Sequence, residues 1–394
     1  MEQKKQEQKV VMLSILGICF AFLGWSNVVS DFTYKKFSQV ENIILIISII
    51  GFIHSALCVI ANLIVIKISN KNPKKFFNKL LLICSVLVIV VGISIFTNNI
   101  YIFSICYIIY LTFLETLSMY HFAFETSSTE KDRYIAVENK RKTIFKIIQC
   151  VATIISNIII IKYFDFGFFA TTIIASIIFL FTFFNVRNIS CREIKRENCK
   201  EKFLQKLKIS KYSTTIKKYG IATTITRFAL SNIIILFSMH LLENNIEFAL
   251  LKEIKNYAVI FAIVAYFIVK KANMKGIEIK TTIFLEIIIT FIIILSIWNP
   301  YFLILLMGLY TIDNLVELTG RFKIFENDTY HENNVEKNSI IDIGIFTAQG
   351  LSSLILLNIQ FNISIAIILI SIIMAIILKI QCQKDMIKTL YNKK

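Results

Sequence analysis

The chain has 394 residues, 56% of them hydrophobic and 18% charged, with a formal net charge of +17. Soluble domains carry about 25% charge and show their apolar residues in short periodic patches; here long Ile-rich runs give a mean hydropathy of +0.69. At about 20 residues per span, twelve spans take roughly 240 residues, which excludes a soluble catalytic domain of even about 100 residues. With 2 Pro and 11 Gly the chain is neither disordered nor collagen-like.

In chain order, the apolar runs predict twelve membrane helices: Val10–Ser30, Ile43–Ile66, Leu80–Thr97, Ile100–Phe124, Thr143–Ile161, Gly167–Val186, Tyr219–Leu242, Asn256–Val269, Thr281–Trp298, Tyr301–Gly320, Ser339–Leu357 and Ile363–Leu378. Helices are expected because lipid offers no hydrogen bonds to an exposed backbone, and no run alternates as barrel strands do. The eighth run is short; Leu250 and Leu251 extend it if Lys252 and Lys255 snorkel.

Basic residues orient this map. With the amino terminus inside, the inner segments hold 37 of the 43 Lys and Arg; the outer loops hold only Lys35, Lys36, Lys162, Lys252 and Lys255. That bias places both termini in the cytoplasm. The positive charge is spread over every inner loop, so it implies neighbouring anionic lipid and not nucleic acid. MEQKKQEQK precedes a span without a small-residue cleavage site, so no removed signal peptide is expected. The Ile, Lys and Asn bias points to an AT-rich bacterium and its cytoplasmic membrane.

None of the eight cysteines falls in an outer loop, so no disulfide framework is implied. Cys191 and Cys199 have no nearby His, and His54, His121, His240 and His331 fall in four different segments, so no metal site and no cofactor are predicted. Ser/His/Asp and Cys/His arrangements, phosphate-binding Gly loops and ATP-binding motifs are absent, and an enzyme is not expected.

The hydrophilic stretch Arg187–Lys218 divides the chain into residues 1–186 and 219–394, each with six spans. Its EKFLQKLKISKYSTTIKK segment is read either as a solvated linker or as a surface helix with Phe203, Leu207 and Ile216 on its apolar side. Related features recur at an offset near 200 residues. Lys67-Ile-Ser-Asn70-Lys71 parallels Lys270-Lys-Ala-Asn273, and Glu115 parallels Glu317. Asp132-Arg-Tyr134 with Glu138-Asn139 parallels Asp328-Thr-Tyr330 with Glu336-Lys-Asn338. An even number of spans per half makes this a parallel repeat.

Six plus six helices, inner termini and a basic central loop resemble the major facilitator superfamily of secondary transporters. The superfamily's Gly-x-x-x-Asp-Arg-x-Gly-Arg-Lys loop corresponds to IKISNKNPKK, with Ile66, Asn70, Lys71, Pro73, Lys74 and Lys75 at those places. The basic positions are kept, and both glycines and the aspartate are replaced. The resemblance implies an all-α protein of two six-helix bundles. It also implies a gating loop around Lys67, Asn70, Lys71, Lys74 and Lys75, and a central path lined by helices one, four, seven and ten. The expected activity is ion-coupled transport, with H+ as coupling ion, of a small molecule or peptide by a monomer. A flippase for lipid-linked glycans and a membrane glycan polymerase are the alternatives. The first would place basic residues deep in the amino-terminal spans, and the second would need a large outer loop.

Charge in hydrocarbon costs at least about 2.5–3.5 kcal/mol on insertion scales, so intramembrane charges mark pathways or pairs. Glu115, Arg227, Asp313 and Glu317 fall on path helices, with Trp25, Asn27 and Asn232 as softer candidates. Arg227 and Asp313 lie at similar depth, so an ion pair is expected; Asp313 and Glu317 share a helix face. Glu115 and Glu317 are read either as gate latches or as proton carriers. Glu286 and Asp342, nearer the inner surface, read as structural pairs, and His54 as an interhelical hydrogen bonder or proton relay.

Single cysteines at Ser38, Asn245 and Asn299, in a cysteine-free background, are expected to react with an impermeant thiol reagent added outside. Those at Asn72, Ser210 and Asn333 are expected to react only after the membrane is opened, and outside labelling at Ser210 would overturn the six-plus-six map.

Overall fold

The computed structural model describes residues 28–68, 73–128, 134–187, 213–273, 279–310, 312–313 and 334–391. All regular structure among them is helical. In order, α1 is Ser30–Lys36, α2 Ile43–Ile68, α3 Pro73–Ser94, α4 Ile100–Ser128, α5 Tyr134–Val186, α6 Thr214–Leu230, α7 Ile233–Glu243, α8 Phe248–Asn273 and α9 Ile279–Trp298; residues 302–310 form α10, followed by α11 Asn334–Leu356 and α12 Phe361–Tyr391. Among the described residues, seven stretches have the length and apolar character to cross a bilayer: Ile43–Ala61, Lys75–Thr97, Ile100–Leu117, Cys150–Val186, Thr214–Glu243, Lys280–Trp298 and Phe361–Asp385. The first expected span lies almost entirely outside the described residues, as does the central basic segment 188–212.

Asparagines punctuate the chain where helices meet. Asn42, Asn98 and Asn245 have φ of 60°, 51° and 62°, a left-handed conformation that Asn tolerates better than most side chains. Asn99 Oδ1 accepts from the Tyr101 and Ile102 amides at 2.9 and 3.2 Å, satisfying donors that the start of α4 cannot use internally. Asn299 Oδ1 accepts from the Tyr301 amide at 3.0 Å, just ahead of α10. The two caps lie about 200 residues apart, as do the turns at Asn42 and Asn245.

The structure corrects several expectations. The fifth and sixth spans, numbered together as α5, remain two helices that meet at Phe164, where φ is 41° and ψ −105°, between the expected ends Ile161 and Gly167. The seventh span is interrupted at Ser231–Asn232, between α6 and α7. Lys252 and Lys255, expected in an outer loop, lie within α8 and are buried, because that helix begins at Phe248. Lys379, expected to open a solvated tail, is buried in α12, which continues to Tyr391. Ile216 does not lie on a surface stripe: it is buried with Tyr219, Ile341, Ile345 and Cys382 in one apolar cluster. The Ser213 hydroxyl caps this start of α6 by accepting from the Ile216 amide.

By contacts the chain divides into two compact units, Met1–Ile43 with Ala56–Lys200, and Ile44–Ser55 with Glu201–Lys394, a division that cuts through the continuous helix α2. In the first unit α3 packs against α4 and α5. Gly92 brings α3 so near α5 that an added Cβ would lie 2.1 Å from Thr172 Oγ1. Phe32 stacks on Phe168 with centroids 4.5 Å apart, and Lys36 Nζ reaches Asp165 Oδ2 at 2.5 Å, tying the end of α1 to the α5 break. In the second unit α6 packs against α11 and α12, and α9 against α12. The first half of α2 joins it through Ser353 Oγ, which donates to Ser48 O at 3.0 Å, and Asn358 Nδ2, which donates to Ser48 Oγ at 2.8 Å. Val86, Ile105 and Phe181 of the first unit and Phe291, Ile370 and Ile373 of the second are exposed, as lipid-facing side chains are.

The α5 hairpin closes over Gly167, where an added Cβ would stand 2.4 Å from the Ile159 carbonyl oxygen. Gly167→Ala is expected to destabilise the protein by about 1–3 kcal/mol or more through overpacking against backbone. At Gly220 the nearest atom to an added Cβ is Ile341 Cγ1 at 3.6 Å, so Gly220→Ala is expected to be neutral or stabilising by up to about 1 kcal/mol. Thermal unfolding of the two variants in detergent checks the contrast.

Candidate functional site

The second unit holds two buried polar assemblies, both built on α6. Thr226 and Arg227 are consecutive, and on a helix consecutive side chains point about 100° apart. Thr226 Oγ1 donates to Glu286 Oε1 of α9 at 2.7 Å, and Lys379 Nζ of α12 donates to the same oxygen at 2.5 Å. All three residues are completely buried. Arg227 points to a different element: its Nη2 lies 3.8 Å from Asp313 Oδ2, with its guanidinium carbon 5.6 Å from the centre of the Tyr310 ring on α10. Their side chains are 4% and 0% exposed, so water screens this attraction little.

The break in the seventh span lies within a turn of Arg227. The Ser231 amide donates to the Arg227 carbonyl at 3.1 Å, and the chain resumes as α7 after Asn232. Asn232 Nδ2 donates to the Gln349 carbonyl at 3.0 Å and to Ser352 Oγ at 3.1 Å, so α11 braces the interruption. Spending this amide on α11 leaves Asn232 a positioning role at the break.

In the first unit, Glu115 of α4 is buried near the buried Cys58 thiol of α2. His54 precedes Cys58 by one turn of the same unbroken helix. The sequence reading saw His54 and Glu115 separately and passed over Cys58, although the i, i+4 spacing of His54 and Cys58 was visible. It also missed Thr226 and Lys379 as partners of Glu286. Lys379 had been assigned to the solvated tail, so its pairing was not legible.

Trp25, Asn27, Asn70, Lys71 and Glu317 lie outside the described residues. Lys67 and Lys74 fall on α2 and α3, Lys75 is exposed on α3, and Asp342 is half-buried on α11.

The chain shares its arrangement of helices with several solved transporters. The chain superposes on a bacterial homologue of the iron transporter ferroportin in its inward-facing state with a TM-score of 0.69, at 10% identity, over 95% of this chain and 98% of the other. For the nucleoside transporter NupG the TM-score is 0.70, at 9% identity, over 96% and 99% of the two chains. For the peptide transporter POT it is 0.70, at 10% identity, over 96% and 94%. The chain shares the fold of these solved transporters. At the level of sequence, no protein-family profile and no curated protein matches the chain. The likeness is therefore one of fold, spanning nearly the whole chain, and the chemistry must be argued from its own buried groups.

Removing one partner of a buried ion pair leaves an uncompensated charge and costs about 3–5 kcal/mol, while removing both is often neutral. Lys379→Met and Glu286→Gln are each expected to lower the unfolding midpoint and the yield of folded protein. The double variant is expected to recover most of the loss, as read by a double-mutant cycle on thermal unfolding.

Proposed function

We propose that the chain is a secondary active transporter of the cytoplasmic membrane, moving a small molecule or peptide by alternating access with an ion gradient, most simply of protons. The observation that carries this reading is the buried Arg227–Asp313 pair beside the interruption between α6 and α7. Charges at this depth are retained where they bind or relay, and interrupted helices supply backbone groups to transporter sites. The similar solved proteins are named for iron, nucleoside and peptide transport, so the shared fold supports transport and leaves the cargo to local chemistry.

In this reading both termini are cytoplasmic, and residues 1–186 and 219–394 act as the two six-helix halves joined by the basic linker. Arg227 and Asp313 hold the charged part of the path. Protonation of Asp313 would release Arg227 to an anionic group of the cargo, and loss of that proton would restore the pair. Glu115 carries the coupling proton in the amino-terminal half, with Glu317 its counterpart in the repeat. Asn27 and Trp25 line the path, and the loop around Lys67 to Lys75 gates it.

Reconstitution in liposomes with an imposed pH gradient tests the assignment, with cargo found by screening metal ions, nucleosides and short peptides. Arg227→Ala and Asp313→Asn are each expected to reduce uptake to background at normal expression, because each strands a buried charge. Wild-type rates in both variants would remove the pair from the mechanism. Glu115→Gln is expected to lose gradient-driven accumulation while keeping downhill exchange. Unchanged accumulation would eliminate Glu115 as the coupling group.

A further inference from the structure

Helix α4 of the first unit carries a partly polar stripe on its buried side. Positions 104, 107, 111 and 115 recur every three to four residues, so Ser104, Tyr107, Leu111 and Glu115 share one side of the helix. All four are buried, as is Tyr110 beside them, while Ile105 and Ile109 on the opposite side are exposed. Glu115 lies near both phenol groups, those of Tyr107 and Tyr110. From there the rings continue in an unbroken file towards the α5 break. Centroids are 6.3 Å apart for Tyr110 and Tyr107, 5.8 Å for Tyr107 and Phe103, and 6.2 Å for Phe103 and Phe168. Each of these residues belongs to the first unit.

An apolar core needs neither the carboxylate nor the hydroxyls. Among the described residues, Ser104 Oγ is buried without a hydrogen-bond partner, a cost that a bound polar group would remove. The buried charged side chains described in this unit are two carboxylates, Asp31 and Glu115, whereas the second unit buries Arg227, Lys252, Lys255 and Lys379. The first unit therefore attracts positive charge, and the negative faces of its aromatic rings add to that attraction.

We propose that Ser104, Tyr107, Tyr110 and Glu115 bind a monovalent organic cation, a protonated amine carried on an apolar or aromatic body. One carboxylate neutralises one positive charge, so the loaded site is electroneutral at a depth where residual charge is costly. Glu115 takes the ammonium, and the tyrosine rings hold the body by stacking and cation–π attraction. Ser104 meets a polar group at the far end. Eleven residues of helix separate it from Glu115, about 16 Å, so the body is an elongated one. A hard metal ion does not suit the site: calcium takes six to eight oxygen ligands, and here rings and the Cys58 and Cys84 thiols stand among the oxygens. The inference rests on the transport reading for its purpose and goes further by naming the chemistry that the first unit selects. The cation takes the carboxylate to which that reading gives only a proton.

The test is equilibrium binding to the full-length protein in detergent, with ethidium as fluorescent probe and tetraphenylphosphonium as competitor. One ethidium per chain is expected, displaced by tetraphenylphosphonium and not by benzenesulfonate, an aromatic anion. Glu115→Gln is expected to weaken binding at least about tenfold, because the neutral amide supplies no counter-charge. Tyr107→Leu keeps the carboxylate and removes a ring face, with an expected loss of about threefold to thirtyfold. Glu243→Gln, at an exposed carboxylate of the second unit, is expected to keep wild-type affinity. Each variant is compared by thermal unfolding, and Tyr107→Leu decides the matter if Glu115→Gln does not fold. A wild-type protein that binds no ethidium, equal displacement by benzenesulfonate, or unchanged affinity in Glu115→Gln or Tyr107→Leu would overturn the site. No ion gradient is needed for this measurement. A protein that accumulates cargo in liposomes without binding ethidium refutes only the cation site, and one that binds ethidium without transporting refutes only the transport reading.

Discussion

The constraint on which this structure depends is that hydrocarbon supplies neither hydrogen bonds nor counter-charge. Each polar group carried into the bilayer must find its match within the protein. Helix α6 shows how this is met. Thr226 reaches the Glu286–Lys379 pair and Arg227 reaches Asp313, so one turn of one helix joins two separate charge-balanced assemblies. The first is closely hydrogen-bonded and completely buried, which suits a fixed clasp among α6, α9 and α12. The second is longer, at 3.8 Å, and shares its guanidinium with the Tyr310 ring. A looser pair is easier to separate when a proton or a ligand arrives.

The backbone is bound by the same constraint. A break within a span frees amides and carbonyls that lipid cannot satisfy, and both breaks described here have local compensation. At Phe164 the α5 hairpin is held by Phe32 and by the Lys36–Asp165 pair, with Gly167 allowing the turn to close on Ile159. At Ser231–Asn232 the interruption is nearly helical, and Asn232 is anchored on α11. The first break joins two spans, whereas the second interrupts one beside a buried charge pair.

The fold is shared with proteins named for transport of iron, nucleosides and peptides, at identities near 10%, so the fold by itself does not fix the chemistry of its buried groups. In this chain the polar groups differ between the units. The second unit buries the Arg227–Asp313 and Glu286–Lys379 pairs, and the first buries Cys58 and Glu115 on α2 and α4.

Much of the architecture was legible in the amino-acid order. Hydropathy is a property of contiguous residues, so it located the long apolar helices. The depth of Arg227 and Asp313 was also readable, because position along a helix sets depth. Partnership was not. Lys252, Lys255 and Lys379 read as loop or tail residues because hydropathy places any lysine outside; longer helices and packing within the second unit buried them. Lys379 meets Glu286 across 93 residues of sequence. Glu115 meets Cys58 only because α2 and α4 turn those faces together. Helix rotation and packing decide such contacts, and a pattern with little amphipathic contrast, apolar on nearly every side, leaves rotation undetermined until the tertiary structure sets it.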